Sequence, residues 1–155
     1  MHLIGSVNKG MLREVVEALD AAKGKPVTVR ITSDGGNSDI AKAIAGLFVA
    51  YKGQVITEVF GNCESAATLI FAAGAQRRMQ RYAWAMVHQG STEASGTIDS
   101  IRNKAKHVVR METHWNQILM ERTGTAVEVW NKLDRRDTYL NADECLSLNL
   151  ATEIF

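Results

Sequence analysis

Apolar positions along this chain follow two alternating periods. Residues 3–7, 27–31 and 55–59 are short runs rich in Val, Ile and Leu, the pattern of strands buried in a sheet. Between them apolar residues recur at three- and four-residue intervals. Met11, Val15, Val16, Leu19 and Ala22 predict one amphipathic helix, stopped by Lys23-Gly24-Lys25-Pro26. Ile40, Ala43, Ile44, Leu47 and Phe48 predict a second, opened by the turn Ser33-Asp34-Gly35-Gly36-Asn37-Ser38. This β-α-β order predicts an α/β fold on a mainly parallel sheet.

The stretch from Gly61 to Gly74 reads as a tight turn followed by a helix. Ser65 stands at the start of that helix and Gly74 at its C′ position. Residues 77–81 and 85–87 are further short strands, and His88 falls where the second gives way to a loop. Small polar residues over 90–96 form an exposed link. Ile101, Ala105, Val108, Val109, Trp115, Ile118 and Leu119 then set the longest helix, 97–122, ended by Gly124. About 25 helical residues span ~38 Å, more than is needed to cover the sheet, which points to self-association. A helix over 127–133, an extended piece at 138–140, a helix over 142–148 and a strand at 151–155 complete the chain. Asn141 with Glu144 three residues later predicts a capping box for the last helix. Residues 1–155 read as one domain.

Composition narrows the chemistry by exclusion. Hydrophobic residues make up 46% and charged residues 23%, an ordinary globular balance, and the net charge of +1 gives no reason to expect nucleic acid. No run of about 18 apolar residues predicts a membrane span. The start lacks the basic and apolar segments of a signal peptide, and two distant cysteines do not make a disulfide framework. A cytoplasmic location is expected. Gly35-Gly36 lacks the spacing of a phosphate loop or dinucleotide fingerprint, so no cofactor is expected. His107 and His114 are seven apart and give no i, i+4 metal pair, so no metal is expected. Cys63 reads as a small apolar filler rather than a thiol nucleophile, and Trp84, Trp115 and Trp130 as core or interface anchors.

A serine after a strand and before a helix has another use. Acyl transfer needs a hydroxyl, a base to take its proton, a carboxylate to orient the base, and N–H donors for the oxyanion. Ser65, His88 and Gly36 each follow a predicted strand, and in an open parallel sheet the carboxyl ends of the strands share one rim. Spacing leaves Asp134, Asp137 and Asp143 all open as the carboxylate.

These residues also carry a resemblance. Ser33-Asp34-Gly35-Gly36, Gly61-Asn62-Cys63-Glu64-Ser65-Ala66-Ala67, Phe71-Ala72-Ala73-Gly74-Ala75 and Met86-Val87-His88-Gln89 are similar to S-P-G-G, G-x-A-A-S-M-G, L-x-A-A-G-A and V-M-I-H-Q-P. Arg136-Asp137-Thr138-Tyr139-Leu140-Asn141-Ala142-Asp143-Glu144 resembles R-D-x-F-L-S-A-x-E, and Leu148-Asn149-Leu150-Ala151 the Y-G-L-V-D that follows it. The patterns are those of the ClpP-type serine peptidases, the proteolytic subunits of Clp proteases, and the likeness runs in order from about Leu3 to Phe155.

The resemblance implies a ClpP/crotonase-like fold with flanking helices and a protruding handle helix, the handle region covering roughly 89–122. It implies Ser65 as nucleophile, His88 as general base and Asp137 as the orienting carboxylate, with the N–H groups of Gly36 and Ala66 as oxyanion hole. The expected activity is that of a serine endopeptidase needing no ATP of its own, acting on peptides or unfolded proteins. It would work inside a homo-oligomeric ring of six or seven subunits, two rings stacking through the handle. Three departures stand out. Asp34 replaces the proline, Glu64 and Ala66 flank the serine, and the link 89–96 is short and lacks a glycine-rich strand. The likeness also begins at the first strand, without the segment that lines the axial pore in housekeeping members, so an ATP-driven (AAA+) unfoldase partner is not carried over. These departures fit a compact member of phage or prophage type, virus-encoded. A catalytically inactive ring subunit is the first alternative and a crotonase-type acyl-CoA enzyme the second.

Overall fold

The computed structural model describes all 155 residues, Met1–Phe155. In chain order the elements are β1 (His2–Ile4), α1 (Lys9–Ala22), β2 (Val27–Ser33), α2 (Ser38–Ala50), β3 (Val55–Glu64), α3 (Ala66–Ala72) and β4 (Gln76–Met79). They continue as β5 (Trp84–Val87), α4 (Ile98–Thr123), α5 (Val127–Leu133), β6 (Thr138–Asn141), α6 (Ala142–Ser147) and β7 (Glu153–Ile154). The sheet has seven strands, ordered β1-β2-β3-β4-β7, with β5 joined to β3 and β6 to β5. Every pairing is parallel except β5–β6. This is the mainly parallel α/β architecture expected from the alternation of strand and helix patterns.

β3 organises the sheet because it has two neighbours on one side. Its first half, Ile56 to Val59, pairs with β4, and its last residues, Asn62 to Glu64, pair with β5. β2 runs along its other edge, from Val27 opposite Val55 to Ser33 opposite Cys63. The hydrophobic pattern predicts that this strand ends at Val59 with a tight turn after it, whereas the strand runs on to Glu64. Pairing on both flanks keeps Asn62–Glu64 extended despite their weak strand propensity, since an interior backbone leaves no N–H or C=O unpaired only that way. The turn is thereby compressed into Ser65 alone.

The helices are placed by their apolar stripes and fixed by their ends. α1 buries Met11, Val15 and Leu19, and Asn8 Oδ1 caps it by accepting the N–H groups of Gly10 and Met11. α2 buries Ala41, Ile44, Ala45 and Phe48 below its Asn37 cap. All seven residues of α3 are buried, Leu69, Ile70 and Phe71 in the core among smaller Ala and Thr neighbours. α6 carries the capping box read from Asn141 and Glu144, each side chain bonding the other's backbone N–H. Among the boundaries that differ from the sequence reading, such as β4 (76–79 against 77–81) and β7 (153–154 against 151–155), two have clear local reasons. β1 stops at Ile4, because Gly5 takes φ 85° and only Val7 touches the sheet again, as a single bridge to Gly36. α3 ends on Ala73 in the right-handed region, so Gly74 is not a left-handed C′ residue. A Cβ at Gly74 would collide with Thr57 Oγ1, and close approach to β3 is what requires glycine there.

α4 spans 26 residues between the Thr97 cap and Gly124, whose φ of 73° ends it in the left-handed region. Its second half packs on the domain through Asn116 and Leu119. Its first half is exposed, Ile98 and Ile101 included, save for half-buried Val108.

Candidate active site

Sheet register decides what meets at the rim. β2, β3 and β5 run parallel, so the loops that follow all three leave the same edge. β6 returns antiparallel to β5 with Val87 opposite Thr138, and one further step of that register sets His88 opposite Asp137. His88 Nε2 lies 2.7 Å from Ser65 Oγ, and its Nδ1 lies 3.6 Å from Asp137 Oδ1. The first is a hydrogen bond and the second is longer than one. Asp137 is largely exposed, its side chain 65% accessible. Of the three aspartates left open by spacing, Asp134 bonds Asn116 and Asp143 lies by Arg81, so only Asp137 faces the imidazole.

Ser65 occupies φ 51°, ψ −121°, a conformation L-residues avoid. Three bonds hold it there. Its N–H donates to Met86 O at 2.8 Å, while its own C=O accepts from the N–H and the hydroxyl of Thr68 at 3.0 and 2.7 Å. The bend ends β3 and starts α3 within one residue, and lifts the hydroxyl off the sheet toward His88. The N–H of Ala66, first in α3, has no acceptor within the helix.

The second N–H donor comes from the glycine pair. Gly35 and Gly36 both have positive φ, 93° and 144°. A Cβ at Gly35 would stand 2.7 Å from Ser65 Cβ, and one at Gly36 would stand 2.7 Å from Val7 O. The glycine pair is thus pressed between two other chain segments, Gly35 against 64–66 and Gly36 against 6–7. The bridge to Val7 uses the C=O of Gly35 and the N–H of Asn37, leaving the N–H of Gly36 without an acceptor in the chain. A groove of about 260 Å³ opens beside these groups, with Gly36, Ser65, Ala66 and His88 in its wall.

Glu64 stays out of this groove. Its Oε1 accepts from Trp84 Nε1 at 3.1 Å on the exposed side, so its charge does not face the Ser65 hydroxyl. Asp34, in the place of the proline, accepts a hydrogen bond from Asn62 Nδ2 and ties the glycine turn to β3.

Cys63 is fully buried on the opposite face of β3 from Glu64, and burial pushes its thiol well above the ordinary 9.0, with Cys145 and Glu64 adding to the shift. Burial likewise raises Cys145 to about 12. Neither sulfur is a nucleophile at neutral pH. In the folded protein at pH 8, Ellman's reagent is expected to find no reactive thiol, and two after denaturation. A fast-reacting thiol in the native state would contradict this.

Asp134, Asn116 and Lys42 also line the groove, and the sequence reading assigned them no place there beyond Asp134 as one of three candidate carboxylates. They come from three elements far apart in the chain. The only signal for them was Asp134 itself.

Comparison with known proteins agrees with this architecture. The family model for Clp protease matches residues 1–155. ATP-dependent Clp protease proteolytic subunit 2 of Treponema denticola is 29% identical over 158 residues, covering 98% of this chain and 79% of that protein. ATP-dependent Clp protease proteolytic subunit 4 of Rhodococcus jostii is 29% identical over 123 residues, 78% of this chain and 63% of its own length. With the whole chain matched and a mainly parallel sheet carrying its glycine turn, serine bend and histidine on one rim, the protein belongs to the Clp protease family.

Proposed function

We propose that this chain is a serine-type endopeptidase of the ClpP kind, cleaving peptide bonds through an acyl-enzyme with Ser65, His88 and Asp137 as its triad. The observation that carries this is the 2.7 Å bond between Ser65 Oγ and His88 Nε2 at a strained strand-to-helix bend. That distance lies within direct proton-transfer reach.

In the proposed reaction His88 Nε2 takes the Ser65 proton as Oγ attacks the scissile carbonyl. The new oxyanion sits between the N–H groups of Gly36 and Ala66, both without a partner of their own. His88 then returns the proton to the departing amine, leaving an ester on Ser65, and a water activated by the same imidazole releases the acid product. Asp137 holds the tautomer with the proton on Nδ1. To do so it must close from 3.6 Å to hydrogen-bond distance, a side-chain movement its exposure permits. As in the family's usual assembly, the working form is a ring of six or seven subunits, and the exposed first half of α4 is the surface available for ring-to-ring contact. Peptides and unfolded segments are the substrates, and the chemistry itself uses no nucleotide.

The same 3.6 Å gap favours one other reading, a ring subunit that keeps the fold and does not cleave. Labelling with a fluorophosphonate separates the two. Modification of the wild type that is lost in Ser65→Ala and retained in Cys63→Ala is expected. An intact protein that takes no label, or label that persists in Ser65→Ala, would overturn the peptidase reading.

A further inference from the structure

The groove at Ser65 runs on between α4 and the end of α5, toward a region of uncompensated negative charge. We propose that this extension receives the side chain on the acyl side of the cleaved bond, and that it selects a cationic one, Lys or Arg, through Asp134. The proposal rests on the peptidase reading, because it assigns a specificity element to the same groove.

Asp134 ends α5 and is 7% exposed. Its Oδ2 accepts from Asn116 Nδ2 at 2.6 Å, and Asn116, 2% exposed, also donates to Asn131 Oδ1 at 2.9 Å. Its backbone C=O accepts the N–H of Gln89 at 2.7 Å, which ties this residue to the one immediately after the base. The carboxylate is therefore held at a defined place close to the reacting groups. Its other oxygen, Oδ1, accepts no hydrogen bond and is not sealed from the cavity that Asp134 lines.

No Lys, Arg or His lies within ion-pair distance of Asp134. Half-buried Glu112 lines the same region and is also unpaired. Arg135 borders the adjoining opening without pairing to either. A buried carboxylate is costly unless a cation or several donors meet it, and here one amide meets one oxygen.

Elsewhere in the groove Lys42 is paired, and its Nζ also lies 3.5 Å from Met111 Sδ, while Lys104 forms no ion pair. Lys42 Nζ lies 2.8 Å from Asp39 Oδ1, and Lys42, with smaller contributions from His107 and Lys104, holds the Asp39 carboxyl below its ordinary value. Lys42 is engaged by Asp39, whereas at the Asp134 end a basic side chain finds a carboxylate oxygen with no partner. Val108, Met111 and Trp115 line the way and suit the aliphatic stem of Lys or Arg.

A series of fluorogenic peptides identical except for Arg, Lys, Leu or Glu before the cleaved bond tests this in the wild-type protein. Arg and Lys are expected to exceed Leu in kcat/KM on the order of tenfold or more. Asp134→Asn, which preserves size, and Asp134→Ser are each expected to bring that ratio near one. A protein that takes fluorophosphonate on Ser65 yet cleaves the Leu peptide as well as the Arg peptide would overturn the pocket and leave the peptidase reading standing. So would an Arg preference that survives Asp134→Asn. Absence of both label and cleavage across the series would overturn the two together. The wild-type ranking decides the matter even if a variant fails to fold.

Discussion

Ser65→Gly is expected to be more stable than Ser65→Ala, and both are expected to be inactive. In most folded positions the order of stability is the reverse, because glycine loses about 0.5–1 kcal/mol more conformational freedom on folding than alanine. At position 65 the backbone stands at φ 51°, ψ −121°, a cost of about 1–3 kcal/mol for any residue with a Cβ. Glycine is relieved of that cost and alanine is not. Both lose the bond from Oγ to His88, so it cancels in the comparison. Glycine is therefore favoured by about 1 kcal/mol, equivalent to roughly 2–4 °C in Tm for a chain of this size. Loss of the hydroxyl lowers kcat/KM by about 10⁴-fold or more, since the acyl-enzyme cannot form. Thermal melts of the two variants with a peptide-cleavage assay check both halves. An alanine variant equal to or above the glycine variant would mean that the bend carries no strain, and residual cleavage in either would mean that the nucleophile lies elsewhere.

Strain at Ser65 bears on which features could be read from the sequence. What local chemistry determines was legible. The ends of α4 follow from Thr97 and Gly124, and the start of α6 from Asn141 and Glu144, because caps act within one turn of the chain. The strand, turn and helix around Ser65 were legible in kind but not in length. Gly61 and Asn62 favour a turn when considered alone, and pairing with β2 and β5 overrides that preference. Gly74 shows the same limit, since a helix-ending glycine and one required by a neighbouring Thr57 look identical in a sequence.

The candidate site divides along the same line. Each rim residue was visible because each follows its own strand, and parallel order alone sends those ends to one edge. The carboxylate was not, because Asp137 is distinguished from Asp134 only by the antiparallel register of β5 and β6, a pairing across some fifty residues. Resemblance to the Clp pattern supplied what spacing left open. Asp134 belongs to the groove through a buried amide network with Asn116 and Asn131, and no local pattern announces such a network. Glu64 presents the opposite lesson. Adjacent to Ser65 in sequence, it points away from it in space, because Glu64 ends β3 on the Trp84 side while Ser65 turns off the sheet at the bend.

Gly35→Ala is expected to lower both the stability and the turnover of this protein. Two independent costs coincide there. The backbone takes φ 93°, where a Cβ is strained whatever space surrounds it. The new carbon would also stand 2.7 Å from both Glu64 O and Ser65 Cβ, and 3.0 Å from Ala66 N. Those atoms belong to the backbone and bend of the nucleophile, so no flexible side chain can yield. Together the terms amount to about 2–4 kcal/mol of stability. The displacement falls on Ser65 and on the Ala66 N–H, so activity should fall about 10²–10³-fold even at temperatures where the variant remains folded, the loss typical of a misplaced oxyanion donor. Gly46→Ala is the control. Gly46 lies within α2 with nothing closer than 4 Å to its would-be Cβ, so alanine there should raise stability by about 0.5–1 kcal/mol and leave cleavage unchanged. Denaturant midpoints of the two variants should thus move in opposite directions. If Gly35→Ala folds with wild-type stability and turnover, the glycine turn does not hold the serine in place, and the close packing of β2 against the bend is not what sets the geometry of the site.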